Sequence, residues 1–130
     1  MKAILNNYRQ SPRKMRLVVD AVKGKTVAQA QVLLSLMPKL ATIPLRKLLA
    51  SAVANAKENQ KVVDPKALVI KDFRVDPGIV LKRSMPRAHG SAYQILKRTS
   101  KVTLVLGERA SEKSKVESVK TEKKIAKIAK

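Results

Sequence analysis

The sequence predicts an α+β fold, and three observations support this prediction. Residues 12–59 contain three segments with apolar side chains at helical spacing, separated by glycine or proline. Residues 67–75 and 101–106 alternate apolar and polar side chains, which is typical of strands. Between these strands, residues 79–98 form a basic segment with a turn-forming centre, which predicts a long β-hairpin. A chain of 130 residues corresponds to one domain with room for an appendage.

The first predicted elements are a short edge strand at residues 3–8 and a helix from residue 12 to about residue 23. Ser11 is suited to cap this helix, and Pro12 is tolerated at the first helical position because its missing N–H would have no partner there. Gly24 is suited to end the helix. The predicted buried face follows the spacing i, i+3, i+4, i+7: Met15, Val18, Val19 and Val22.

Two further helices follow. Thr26 and Gln29 form a capping-box pattern at the start of the second helix, and Pro38 follows its end. Its predicted buried stripe is Val27, Ala30, Leu33, Leu34 and Met37. The third helix is predicted from about residue 40 to residue 59, with Pro44 in its first turn. One continuous face of this helix is apolar: Leu45, Leu48, Leu49, Ala52, Val53 and Ala56.

The strands come after a predicted polar turn at residues 57–66. The segment at residues 67–75 is predicted to be a strand with three side chains on one face, Val69, Phe73 and Val75, and two on the other, Asp72 and Arg74. The Asp-Pro-Gly sequence at residues 76–78 predicts an interruption before the hairpin. In the strand at residues 101–106, the inward side chains are Val102, Leu104 and Leu106. We expect these two strands to pair, with the hairpin extending beyond the sheet from their ends.

The composition changes after Gly107, which divides a predicted domain at residues 1–107 from a basic, flexible tail at residues 108–130. The last 23 residues carry eight Lys or Arg and four Glu but no large core residue, so we expect disorder or a frayed helix in isolation. The whole chain has 29 Lys and Arg against 9 Asp and Glu, a formal net charge of +20. Without the tail, 21 basic and 5 acidic residues remain, so a charge of +16 belongs to the domain itself.

This charge predicts a standing polyanionic partner, because self-repulsion destabilises a compact monomer. Nucleic acid is the commonest such partner, ahead of an anionic membrane surface. A membrane-surface protein is disfavoured because the helices carry core-type stripes and the chain has no Trp or Phe anchor on them. The charge alone also permits a DNA-compacting architectural protein.

Catalytic chemistry is poorly represented in the sequence. There is no cysteine for disulfides or thiolate chemistry, one histidine, and no glycine-rich phosphate loop. His89 lies beside a turn glycine in a basic tip and has no partner ligands, which predicts an exposed side chain and no metal site. We therefore expect no enzymatic activity and no cofactor.

No secretory signal is recognisable and no apolar run approaches the roughly 18 residues of a membrane span, so a cytosolic or organelle-matrix location is expected.

The three aromatic residues, Tyr8, Phe73 and Tyr93, are too few for a module that recognises single-stranded RNA by stacking many bases. Recognition of RNA shape and phosphate fits better. At the start of the first helix, Arg13, Lys14 and Arg16 oppose the helix macrodipole, which is explained either by phosphate contacts or by surface solubility.

The hairpin segment points to the same class of partner. No acidic residue occurs between Asp76 and Glu108, so an isolated ribbon here would repel itself in water. The alternative is a mobile basic loop between two strands. About ten residues separate Gly78 from the turn, which at roughly 3.3 Å per residue gives an arm of about 30 Å.

Four motifs resemble the bacterial-type large-subunit ribosomal protein 22 family: SPRKMRLV at 11–18, SAVANA at 51–56, KRSMPRAHG at 82–90 and ILKRTS at 95–100. The resemblance covers about residues 3–107. It implies a small three-stranded antiparallel sheet packed with three helices, from which the long hairpin projects. It also implies binding to large-subunit ribosomal RNA, contacts with neighbouring ribosomal proteins, a role in early assembly, and a hairpin tip in the wall of the nascent-peptide exit tunnel.

Basic side chains of the first helix and the hairpin supply most of the expected rRNA-binding residues: Arg9, Arg13, Lys14, Arg16, Lys82, Arg83, Arg87, Lys97, Arg98 and Lys101. The resemblance assigns the tunnel-lining tip to eight residues: Met85, Pro86, Arg87, Ala88, His89, Gly90, Ser91 and Ala92. It implies that nascent peptides and macrolides are the partners near this tip, in a cytoplasmic or an organellar ribosome.

Overall fold

The protein is described from a computed structural model that covers residues 1–60 and 68–107, without the side chain of Gln60. The predicted tail at residues 108–130 lies outside the described residues. In chain order the elements are β1 (Lys2–Tyr8), α1 (Pro12–Val22), α2 (Val27–Leu36), α3 (Thr42–Gln60), β2 (Val69–Pro86), a short 3₁₀ turn (Ala88–Gly90) and β3 (Ala92–Gly107).

The three strands form one antiparallel sheet with the order β1-β3-β2. This confirms the predicted α+β class, the three-stranded sheet and the pairing of the two strands that flank the hairpin segment. β3 is the central strand, so β1 lies at an edge, as predicted. The helices cover one face of the sheet, where a single core contains strand residues such as Phe73, Val75, Val102 and Leu104.

The helices follow their predicted patterns. In α1 all four predicted core residues are buried, and the capping position before Pro12 is Ser11, whose hydroxyl makes no capping hydrogen bond. Gly24 has a φ of +77°, which only glycine adopts readily, and its N–H donates to the Ile70 carbonyl at 3.2 Å. In α2 the capping box between Thr26 and Gln29 is present. Of the predicted α2 and α3 faces, only three residues are half-buried rather than buried: Leu33, Met37 and Val53.

The predicted polar turn at residues 57–66 is wrong at its start, because α3 continues to Gln60. Lys57 and Glu58 are good helix formers, and a cation in the last turn is stabilised by the helix macrodipole. No glycine or proline interrupts the chain between Pro44 and Pro65, so nothing local ends the helix at Lys57. The rest of the predicted turn lies outside the described residues.

The predicted inward position of Val69 is also wrong. Ile70 is buried instead, and the buried positions then shift to Phe73 and Val75. The register explains this shift, because Ile70 pairs with Leu106 and Asp72 pairs with the next residue, Val105. One residue of β2 is therefore extra at this point, a β-bulge that reverses which side chains face the core.

A second irregularity replaces the predicted interruption at residues 76–78. Pro77 pairs with Ser100 and Val80 with Arg98, so β2 accommodates one extra residue and then continues. Beyond this bulge the β2–β3 ladder continues to the pair Pro86 and Ala92, and every residue from 82 to 98 is exposed. We call the part of the ladder from residue 79 to residue 98 the arm.

Candidate nucleic-acid interface

Two buried hydroxyl groups fix the base of the arm where the ladder is irregular. Thr99 Oγ1 donates to the Ile79 carbonyl at 2.7 Å, and Ser100 Oγ donates to the Gln10 carbonyl. The first bond spans the second bulge, and the second ties the central strand to the loop before α1. Gly78 lies against Thr99 so closely that an added Cβ would be 2.5 Å from Thr99 Oγ1. Backbone and hydroxyl groups therefore join the base of the arm to the loop before α1.

A first cleft of about 300 Å³ lies beside this junction. It brings together basic residues from the loop before α1 and from β3, which are far apart in the sequence. Three residues that were predicted to bind rRNA line this cleft: Arg9, Lys97 and Arg98. The other lining residues, which were not predicted to bind RNA, are Gln10, Ser11, Leu96 and Thr99.

A second cleft of about 540 Å³ is formed by the start of α1, Pro77 and the base of β3. Four of its lining residues were predicted to bind rRNA: Arg13, Lys14, Arg16 and Arg98. Ser11 and Arg98 line both clefts, so the two form one continuous surface, which we call the root surface. Aspartate and glutamate are absent from the residues lining either cleft. This surface can bind anions because its cations are not neutralised by carboxylates.

Arg16 has a structural role in addition to its charge. Its Nε and Nη2 atoms donate to the Val75 carbonyl at 3.2 and 3.0 Å, which ties α1 to β2. Among the described residues, one salt bridge forms, between Arg74 and Asp72 at 3.4 Å. Neither residue lines a cleft. The remaining N–H groups of the cleft arginines are therefore available for an external anion.

The proximal arm has a regular chemical pattern. Four consecutive rungs each pair one aliphatic side chain with one cation: Val80 with Arg98, Leu81 with Lys97, Leu96 with Lys82, and Ile95 with Arg83. Successive rungs alternate between the two faces of a ladder, so each face receives the same mixture. Neither face is apolar enough to pack on a protein core, and neither is shielded by an acid.

The distal arm is different, since its last three rungs carry no charge: Ser84 with Gln94, Met85 with Tyr93, and Pro86 with Ala92. At the turn, Arg87 donates its N–H to the Ser91 carbonyl at 2.8 Å. Two residues of the turn have a positive φ, Gly90 at +70° and His89 at +57°. Sequence reasoning missed His89 because a left-handed conformation is uncommon for residues other than glycine, although histidine, like asparagine and aspartate, adopts it more often than most.

The structure thus brings six predicted residues together on the root surface and distributes Lys82, Arg83 and Arg87 along the arm. Lys101 lies apart from both clefts, opposite Asp76 in the ladder. Sequence reasoning did not identify Gly78, Thr99 and Ser100, because their importance depends on a bulge that alternation does not reveal.

None of the described helices is long and apolar enough to cross a membrane. In the same residues, no group of three or more His, Asp or Glu side chains is arranged to hold a metal ion.

The fold and the surface together define a class of protein: a small, strongly basic α+β protein with a cationic surface, lined by no acid, at the base of an exposed β ladder. Within this class, the chain belongs to the ribosomal protein L22p/L17e family, whose model matches residues 3–107.

Among its relatives is the large ribosomal subunit protein uL22 of Desulfitobacterium hafniense (strain Y51), with 51% identity over 108 residues, covering 83% of this chain and 94% of the relative. The protein of the same name from Clostridium novyi (strain NT) is 50% identical over 109 residues, covering 84% of this chain and 97% of the relative. A third, from Deinococcus deserti, is 48% identical over 108 residues, covering 83% and 77%.

Proposed function

We propose that this protein is a structural constituent of the large ribosomal subunit that binds the ribosomal RNA of that subunit. Its family consists of ribosomal proteins, a structural rather than an enzymatic class, and the relatives described above are named as large-subunit proteins. The observation that carries the proposal is the root surface, which gathers Arg9, Arg13, Lys14, Arg16, Lys97 and Arg98 without a lining carboxylate.

The RNA is bound chiefly through its phosphates. Guanidinium and ammonium groups on the root surface are matched to phosphate oxygens by charge and by hydrogen bonding. The proximal arm carries cations on both faces, so it suits a position with RNA on two sides better than one on a flat surface. The aliphatic side chains of the proximal arm are suited to contact the sugars and bases of the RNA, which carry no charge.

The distal arm has a separate role in the proposal, which is to line the nascent-peptide exit tunnel. Its uncharged rungs would not bind a passing peptide strongly, and at the tip Arg87 and His89 provide polar groups while Met85 provides an apolar contact that is 43% exposed. Nascent peptides, and macrolides that lodge nearby, are the proposed partners of the tip residues 85–92.

The protein also supports assembly of the subunit, because one chain that binds RNA at its root and along an arm holds separate RNA segments together.

Four exposed aliphatic side chains are concentrated on a different part of the chain, from α2 to the start of α3: Val32, Leu36, Leu40 and Ile43. We assign these side chains to contacts with neighbouring ribosomal proteins in the cytoplasmic ribosome.

Sedimentation of a cell lysate through a sucrose gradient tests the proposal. The tagged protein is expected in the large-subunit and whole-ribosome fractions, and to remain there after a moderate-salt wash. A protein found only with chromosomal DNA would instead be an architectural DNA-binding protein. Competition between folded ribosomal RNA and duplex DNA of equal length, at the same salt concentration, separates these two functions directly.

A further inference from the structure

Tyr93 is the one strongly exposed aromatic side chain of this protein. The chain has two tyrosines, one phenylalanine and no tryptophan. Phe73 is buried in the core, and Tyr8 is partly buried against it. Tyr93 is 63% exposed and lies on the distal arm, away from the helices. Its ring therefore contributes little to the core of the protein.

Two arginines flank this ring on the same face of the ladder. Tyr93 pairs with Met85, and the rung before it on that face pairs Arg83 with Ile95. Beyond the last rung, at the turn, the Arg87 N–H donates to the Ser91 carbonyl, which places Arg87 two residues after Met85 in the direction of the turn. Arg83 and Arg87 are thus the two diagonal cross-strand neighbours of Tyr93, at a typical distance of about 7–8 Å between such positions.

The charge around the ring is entirely positive. Arg83 uses one donor, Nη1, in a 2.8 Å hydrogen bond to the Lys82 carbonyl, which leaves the other N–H groups of its guanidinium for a ligand. No aspartate or glutamate occurs between Asp76 and Glu108, so the arm supplies no carboxylate to either arginine.

We propose that Tyr93, Arg83 and Arg87 form a binding site for a single unpaired RNA nucleotide. The base stacks on the exposed face of the Tyr93 ring, and the phosphates on either side of it bind the two arginines. Stacking on an aromatic ring with guanidinium groups beside it is a common way for proteins to hold an unstacked base. This inference rests on the proposed function, since it requires ribosomal RNA beside the arm.

A purely structural role accounts less well for these observations. A cross-strand pair of tyrosine and methionine stabilises a ladder through contact between the two side chains. Here both side chains remain substantially exposed, at 63% for Tyr93 and 43% for Met85, so cross-strand pairing leaves most of the ring free. Nor does a contact with nascent peptide explain why a guanidinium lies on each diagonal of the ring.

The test uses the full-length protein and two RNA hairpins of the same length, one fully paired and one with a single bulged adenosine. Their affinities are measured by fluorescence anisotropy at the same moderate salt concentration. The unchanged protein and the Tyr93→Phe variant are expected to prefer the bulged RNA by about fivefold to about a hundredfold, the effect of stacking one base. Tyr93→Leu, which keeps an apolar partner for Met85, is expected to bind both RNAs equally and the paired RNA as tightly as before.

Two further variants serve as controls. In Tyr93→Leu/Gln94→Tyr the ring moves to the opposite face of the ladder, where its cross-strand partner is Ser84, and the preference should not return. In Tyr8→Phe, Tyr93 is the only tyrosine left, so its fluorescence should fall on binding the bulged RNA and stay constant on binding the paired RNA.

Equal binding of the two RNAs by the unchanged protein, or an undiminished preference in Tyr93→Leu, would overturn this inference and leave the proposed function intact. Failure to bind either RNA would reject the proposed function and the nucleotide site with it. If Tyr93→Leu keeps the RNA preference but alters nascent-chain arrest on ribosomes, the ring contacts peptide, and the nucleotide site is wrong.

Discussion

At the scale of single residues, Gly78 is the position where the backbone leaves least room. An alanine Cβ would lie 2.5 Å from Thr99 Oγ1 and 3.4 Å from the Thr99 carbonyl carbon. Because Thr99 Oγ1 is held by its hydrogen bond to Ile79, we expect Gly78→Ala to lower the free energy of unfolding by about 1–3 kcal/mol. Urea denaturation followed by circular dichroism measures this change.

Gly107→Ala is the matched control, because the nearest atoms to its added Cβ belong to the Lys71 side chain at 3.5 Å, an ordinary contact. It should be nearly neutral. Adding Thr99→Ala to Gly78→Ala removes the clashing oxygen, so the double variant should be more stable than the sum of the single effects predicts. Additive effects would mean that the contact with Thr99 does not account for the glycine.

Arg16 and Arg13 line the same cleft, but only Arg16 is expected to stabilise the fold as well as bind RNA. Arg16 donates twice to the Val75 carbonyl, whereas Arg13 makes no hydrogen bond from its side chain to another described residue. Arg16→Met should therefore lower the free energy of unfolding by about 1 kcal/mol, and Arg13→Met should change it by less than about 0.5 kcal/mol. Both should weaken RNA binding. Thermal denaturation and RNA titration of the two variants check this contrast, which equal stabilities would contradict.

At the scale of elements, the start of α1 and the arm should make RNA affinity depend steeply on salt. Each phosphate neutralised by a cation releases counterions, so the logarithm of affinity should fall with the logarithm of salt concentration with a slope of several units. Substituting glutamine for one charged residue at a time should lower that slope by about one: Arg13, Lys14, Arg16, Lys82, Arg83, Lys97 or Arg98. Binding measured by anisotropy over a series of KCl concentrations gives the slope.

Lys57→Gln is the matched control for these variants. It removes the same charge from the last turn of α3, and Lys57 lines neither cleft nor any rung of the arm. The slope should remain unchanged in this variant. An affinity that does not respond to salt would show that phosphate contacts are not the source of binding.

At the scale of the whole molecule, the segment after Gly107 should be dispensable for folding. The described residues already form a continuous core in which α1, α2, α3 and the sheet all take part, and the family match ends at residue 107. Truncation after Gly107 should leave the melting temperature within a few degrees of the full chain, as measured by circular dichroism. A larger fall would mean that residues 108–130 dock on the core.

Deleting residues 85–90 should affect the ribosome rather than the fold. All six residues are exposed, so the isolated protein should keep its melting temperature. Ribosomes that carry the deletion should assemble but differ in the passage of arrest-prone nascent peptides or in their sensitivity to macrolides. Peptide-arrest assays and drug titrations on purified ribosomes measure both. If both match the intact ribosome, the tip is only an RNA anchor.

Local patterns were sufficient for much of this molecule. The apolar spacing in α1, α2 and α3 predicted their buried faces because a helix has a fixed period, and the capping box and Gly24 marked boundaries through short-range hydrogen bonds and backbone geometry. The motifs of the arm identified the family, and the absence of acids there indicated the class of partner.

Other features depended on contacts between distant segments. Two bulges in β2 moved Ile70 inward and carried the strand through residues 76–78, because register is set by the pairing strand and not by the strand's own alternation. The bulge after Ile70 was therefore not predicted from the sequence. The Asp-Pro-Gly sequence marked the place of the second irregularity, but neither its form as a bulge nor the fit of Gly78 against Thr99 was predicted.

The sequence by itself determined the helices, the charge and the family of this protein, because those follow from local spacing, composition and motifs. Only the tertiary structure decided that Arg9, Arg13 and Arg98 share one surface, that Arg16 also bonds to Val75, and that Tyr93 lies between two arginines. The physical reason is that strand pairing and the packing of α1 on β2 bring together residues that are far apart in the sequence. A local sequence pattern does not show which distant residues will be close in space.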